Sequence, residues 1–180
     1  MTDALALPGI KLAARGLRLL AEGKSTADSQ EGLALASLWG GMVLANAGLG
    51  AVHGLVAPLG GRCAIPHGIG CACLLVETLR ANLAALRARA PKSSALERYE
   101  KIARRLSFDS PEKLADGLGA LRRLLGVGSL ASYGATKDDV APIVKAARGG
   151  SMKHNPIELS DAELEGILVA AMEPQSAAMQ

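Results

Sequence analysis

The chain has 180 residues, a formal net charge of +3 and 49% hydrophobic residues, enough for a sizeable core and too apolar for a disordered chain. One Trp, two Tyr and one Phe leave Leu, Ala, Val and Ile to build that core, and Ala and Leu favour helix. Basic and acidic residues are interspersed and stacking aromatics are scarce, so a nucleic-acid surface is excluded; the Arg-rich stretch from Leu83 to Arg105 reads as solvated helix faces.

Taken in order, Ile10, Ala13, Leu17 and Leu20 follow helical spacing, with Pro8 and Gly9 making any helix before them doubtful and Gly23 closing the segment. Ser25 to Asp28 offer caps for a second helix from about Ser29 to Ala47. This helix is apolar over most of its surface, which predicts a central position, and Gly40 and Gly41 would permit close approach of a neighbour. Gly48 to Gly61 is Gly-rich with a short helical middle around His53, followed by a loop from Arg62 to Pro66.

A third long helix is predicted from His67 to Ala88, and Ala90 to Ser94 form a linker. Leu96, Tyr99, Ile102, Ala103 and Leu106 mark a fourth helix. Ser110 caps a fifth, with Pro111 at its first position and Leu114, Leu118, Leu121 and Leu125 inward. Thr136 caps a sixth, with Val140, Val144 and Ala147 inward and Pro142 in its first turns. Ser160 and Glu163 form a capping box for the last, which carries Leu164, Ile167, Leu168 and Ala171. No alternating strand run appears. The expectation is an all-α bundle of about six to eight helices, a single domain over residues 1–172 with a flexible tail over 173–180.

From Gly32 to Gly61 there is no charged side chain, and Leu33 to Val52 is long enough to span a bilayer. The stretch is rich in Gly and Ala, contains Ser37 and Asn46, and lacks aromatic belts, so a buried helix followed by a loop is the reading taken, with no membrane partner. Cys63, Cys71 and Cys73 are odd in number and closely spaced, which fits a reducing, cytoplasmic setting better than a disulfide framework. The first residues lack the basic region of a signal peptide.

Two histidines stand in Gly-rich surroundings, Gly50-Ala51-Val52-His53-Gly54 and Ile65-Pro66-His67-Gly68. Imidazole is the commonest metal ligand near neutral pH, and helix ends beside a Gly-containing loop can aim two rings at one ion. A rival set is Cys63, His67, Cys71 and Cys73, in which His67 and Cys71, four apart, share a helix face; its spacing is not that of a zinc finger. No glycine-rich phosphate loop follows a predicted strand, and Gly48-Leu49-Gly50 lacks the third glycine of a dinucleotide fingerprint.

The segment Asn46-Ala-Gly-Leu-Gly-Ala-Val-His53-Gly, then Pro58-Leu-Gly-Gly, then Ile65-Pro66-His67-Gly, resembles the signature of iron-containing (group III) alcohol dehydrogenases, including the fourteen-residue step from His53 to His67. Leu74-Leu75 leading to Asn82, the opening Thr2 to Leu7, and Ser151-Met-Lys-His-Asn155-Pro156 with the last capped helix extend the likeness over nearly the whole chain. The resemblance implies an all-helical half of a two-domain enzyme whose other half is an α/β domain that binds NAD or NADP. It implies a metal, Fe(II) or Zn(II), held by one Asp and three His, with His53 and His67 as two of the ligands. The Asp and the first His of that set would lie just upstream of Thr2. The chain by itself is therefore expected to bind metal loosely, to bind NAD negligibly and to be inactive. A separate nucleotide-binding chain, or self-association, would complete it around a small alcohol or aldehyde substrate. One departure is Ala57, where well-studied members carry another His near substrate and nicotinamide. The alternative is a non-catalytic helical oligomerisation module derived from such an enzyme.

Overall fold

The computed structural model describes residues 2–174, and these form eight α-helices and no strand. The helices are α1 (Thr2–Ala21), α2 (Ala27–Ala47), α3 (Ala51–Cys63), α4 (His67–Arg89), α5 (Ser94–Arg105), α6 (Pro111–Leu124), α7 (Val140–Ala147) and α8 (Asp161–Met172). Short 3-10 turns at Leu130–Tyr133, Lys137–Asp139 and Gly150–His154 fill the connections. The expected all-α architecture is the one observed. Residues 175–180 of the expected tail lie outside the described residues.

The local signals place the ends well. Thr26 and Ser29 exchange side-chain and backbone bonds in a capping box that opens α2. Ser110 accepts from the Lys113 N–H with Pro111 at the first position of α6, and Ser160 and Glu163 close a capping box on α8. Pro142 is the third residue of α7, where its missing N–H has no intrahelical acceptor to lose.

The chain forms two compact units. One takes the chain to Gly48 and from Glu97 to Leu125; the other runs from Leu49 to Leu96 and from Gly126 onward. In the first unit α1 packs along α2 and touches α6. Here α1 starts at Thr2 and runs through Pro8, so the doubt about a helix before Pro8 is corrected: Pro8 forfeits one backbone bond, but Gly9, the next residue, is buried against Trp39 of α2. The close approach is at Gly16, where a Cβ would lie 2.5 Å from Leu33 Cγ, and not at Gly40 or Gly41, which face open space.

A second correction concerns α2. Its apolar surface predicted a central helix, yet Ser29 is its only buried residue, and Leu35, Leu38, Met42 and Leu44 are exposed. In its own unit α2 packs against α1 on one side, so an all-round apolar helix keeps an uncovered face.

The second unit holds the main core. Leu55, Val56 and Leu59 of α3 pack with Cys73 and Leu74 of α4, Ile143 and Val144 of α7, and Leu164, Ile167 and Leu168 of α8. Helix α3 is longer than the short helical middle expected around His53, and Pro58 sits inside it. Helix α4 alone among the described helices is long and apolar enough to cross a membrane, and 56% of its apolar window is buried in the fold, as befits a core helix. The uncharged stretch over Leu33 to Val52 is not one helix: α2 ends at Ala47, and Gly48, at φ 73°, breaks the chain before α3.

Candidate metal centre

The site is built from the starts of α3 and α4, both in the second unit. His53 is the third residue of α3 and His67 the first of α4, with Cys71 one turn further on the same face. A tight connection joins the helices: Ala64 closes α3 in the left-handed region at φ 50°, Ile65 is buried, and extended Pro66 opens α4. Gly70, just before Cys71, is where the helices cross. A Cβ there would sit 2.6 Å from Val56 Cγ2, so only glycine admits this approach without displacing a buried valine.

A pair of asparagines anchors the start of α3. The Ala51 N–H donates to Asn155 Oδ1 at 3.0 Å, and Asn155 Nδ2 donates to Asn82 Oδ1 and to the Ile157 carbonyl, each at 2.7 Å. Asn82 Nδ2 returns a bond to Asn155 Oδ1 at 3.4 Å. Asn82 is buried in α4, so this knot ties both helices of the site to the segment before α8. Sequence reading singled out Asn82 and Asn155 only as parts of a resemblance; their partnership spans 73 residues and no local pattern signals it.

The histidine rings lie 5.4 Å apart between centroids, tilted by 51°. Cys71 Sγ is 3.6 Å from His67 Nε2 and 4.0 Å from His53 Nε2, and the three ligand atoms fall within 4.8 Å of one another. Burial, and after it the neighbouring His67, holds His53 below the ordinary imidazole range, so its ring is neutral and its lone pair available at neutral pH. Burial pushes the Cys71 thiol up, a tendency that a bound cation would reverse.

The donor set fits a divalent transition metal. Around a tetrahedral ion with bonds of about 2.05 Å to nitrogen and about 2.3 Å to sulfur, N···S separations are about 3.6 Å. The two observed separations lie at and slightly above that value.

The four-membered rival set is not assembled. Cys73 is buried and its thiol donates to the Gly128 carbonyl at 3.3 Å, while Cys63 lies at the far end of α3 beside Asp139. Cys71 alone of the three cysteines joins the histidines among the described residues. Ala57 lies one turn after His53 with its side chain exposed, a methyl group with no proton to give.

The model of the Fe-containing alcohol dehydrogenase family, C-terminal part, matches residues 1–172. The chain belongs to that family. It is 32% identical over 169 residues to the 1,3-propanediol dehydrogenase of Klebsiella pneumoniae, covering 93% of this chain and 43% of that protein. It is 32% identical over 156 residues to the lactaldehyde reductase of Escherichia coli K12, covering 82% of this chain and 38% of the relative. Among solved structures, a 1,3-propanediol oxidoreductase superposes with a TM-score of 0.82 at 30% identity, over 94% of this chain and 45% of that one. An alcohol dehydrogenase from Oenococcus oeni does so with a TM-score of 0.81 at 25% identity, over 94% of this chain and 44% of that one. The chain thus spans less than half the length of these relatives, and the family assignment rests on their C-terminal halves.

Proposed function

We propose that this chain supplies the metal-binding helical half of an alcohol dehydrogenase that interconverts small alcohols and aldehydes with NAD or NADP. The observation that carries the reading is the convergence of His53 and His67 from two helix starts in a chain of this family. Both histidines hold the divalent metal, Fe(II) or Zn(II). When bound, that metal supplies Lewis-acid polarisation of the alcohol oxygen. The residues present bind and orient: α3 and α4 fix the two imidazoles, and the asparagine knot keeps α3 in place. Ala57 takes no part in proton transfer.

The nicotinamide is held by an α/β unit outside these residues, on a partner chain or on more of the same polypeptide, and the 180-residue chain alone is inactive. The setting is cytoplasmic, in keeping with three cysteines that form no disulfide. Related enzymes named for 1,3-propanediol and lactaldehyde make short diols and hydroxyaldehydes the first substrates to try.

The test has two parts. Anaerobically purified chain, offered Fe(II) or Zn(II), retains metal that His53→Ala and His67→Ala each lose. With NAD or NADP and 1,3-propanediol the chain alone turns over nothing, and adding in trans the N-terminal part of a relative, with its nucleotide-binding half and its Asp and first His ligands, restores cofactor reduction. Metal retention unchanged in both variants overturns the metal reading, and turnover by the chain alone overturns its dependence on a second half.

The uncovered apolar face of α2 (Leu35, Leu38, Met42, Leu44) favours a second reading, a helical module that self-associates without catalysis. Concentration-dependent oligomers with no metal requirement would select it.

A further inference from the structure

We propose that Cys71 is a third metal ligand, so that this chain carries a His53–His67–Cys71 set selective for zinc over iron. The inference rests on the reading that the two histidines bind metal, and extends it to a residue type that a carboxylate-and-imidazole site does not use.

Three observations carry it. Both rings turn the same nitrogen, Nε2, toward the sulfur, at 3.6 Å from His67 and 4.0 Å from His53. Those separations suit N and S atoms sharing a tetrahedral ion and leave a fourth position open. The sulfur is held there by two independent constraints. Cys71 stands one turn from His67 on α4, and the backbone beside it is pinned where Gly70 meets Val56. The other two cysteines lie outside the group, Cys73 bonded to the Gly128 carbonyl and Cys63 at the far end of α3, so Cys71 is the thiol that joins the histidines.

The chemical consequence follows from ligand softness. A thiolate beside two imidazoles favours zinc and cobalt over the harder ferrous ion. On binding, the thiol releases its proton to solvent and the sulfur lone pair forms the metal bond, with no change of oxidation state. Three ligands from these residues give a site that holds zinc with its fourth position open.

The experiment uses the full 180-residue chain, reduced and anaerobic, with Co(II) as a spectroscopic probe and Zn(II) affinity measured by competition with a chelating indicator. The wild type shows near-ultraviolet sulfur-to-cobalt charge-transfer absorption with visible bands of tetrahedral strength. Cys71→Ser and Cys71→Ala both lose the charge-transfer band. Their zinc affinity falls by at least about a hundredfold, the upper end of what losing a supporting partner alone does. Cys63→Ser changes neither reading.

Wild-type chain without the charge-transfer band, or Cys71 variants with undiminished zinc affinity, overturns the ligand assignment. The histidine site still stands in that case if His53→Ala and His67→Ala lose metal. Metal kept in both histidine variants but lost in Cys71→Ser overturns the shared site altogether.

Discussion

Removing the Asn155 side chain tests whether the asparagine knot fixes the helices that carry His53 and His67. Asn155→Ala deletes four hydrogen bonds: from the Ala51 N–H, to and from Asn82, and to the Ile157 carbonyl. At about 0.5–1.5 kcal/mol net per bond the total is roughly 2–6 kcal/mol. Asn155 is half-buried, so water reaches part of the vacated space and the expected loss is the lower half, about 2–4 kcal/mol. At about 2–4 °C per kcal/mol for a chain of this size, Tm falls by roughly 5–15 °C. The assay is thermal and urea unfolding followed by circular dichroism, in a cycle with Asn82→Ala. The two share direct bonds, so a coupling energy of about 1–2 kcal/mol is expected. Ala51 starts α3 and His53 follows two residues later, so zinc affinity falls alongside stability. A stability loss under about 1 kcal/mol with additive single variants would refute the reasoning, because it would mean that the bonds are replaced by water at no net cost.

Glycines offer a contrast of sign. Gly70→Ala overpacks the α3–α4 crossing and destabilises by about 1–3 kcal/mol, less the helix propensity gained, whereas Gly166→Ala on the open face of α8 stabilises by about 0.5–1 kcal/mol; urea midpoints of the two variants decide this. Glu163 is raised by burial but more strongly lowered by its bonds from Arg89 and Ser160, so its carboxyl lies below the usual 4.5. Its contribution is present above that ordinary value and lost as pH falls through the lowered one. Glu163→Gln therefore loses under about 1 kcal/mol at neutral pH and flattens the acid limb, read from Tm against pH. Leu38→Glu and Met42→Glu, on the exposed face of α2, leave the unfolding free energy within about 0.5 kcal/mol of the wild type and abolish any self-association seen by sedimentation.

The helical class, most helix ends and the two histidines were legible in the sequence because they depend on local chemistry. The Ser110–Pro111 start, the Ser160–Glu163 box and the flanks of His53 and His67 are each written within a few residues. Three features were not. Helix α1 continues through Pro8 because burial of Gly9 against Trp39, 30 residues away, outweighs a lost backbone bond. Apolar composition alone does not say how many neighbours a helix finds, so α2 looked central and is half-uncovered. Spacing on α4 allowed Cys71 to share a face with His67, but the crossing at Gly70 brings that face to His53, and core packing of Leu55, Val56 and Leu59 with the Ala51–Asn155 bond holds α3 where the three donors meet. The sequence by itself determined which residues could ligate a metal, since donor type and helical period are local properties. The tertiary structure decided which of them lie together, since convergence depends on how α3 and α4 cross and on bonds such as Asn82–Asn155 that join distant parts of the chain.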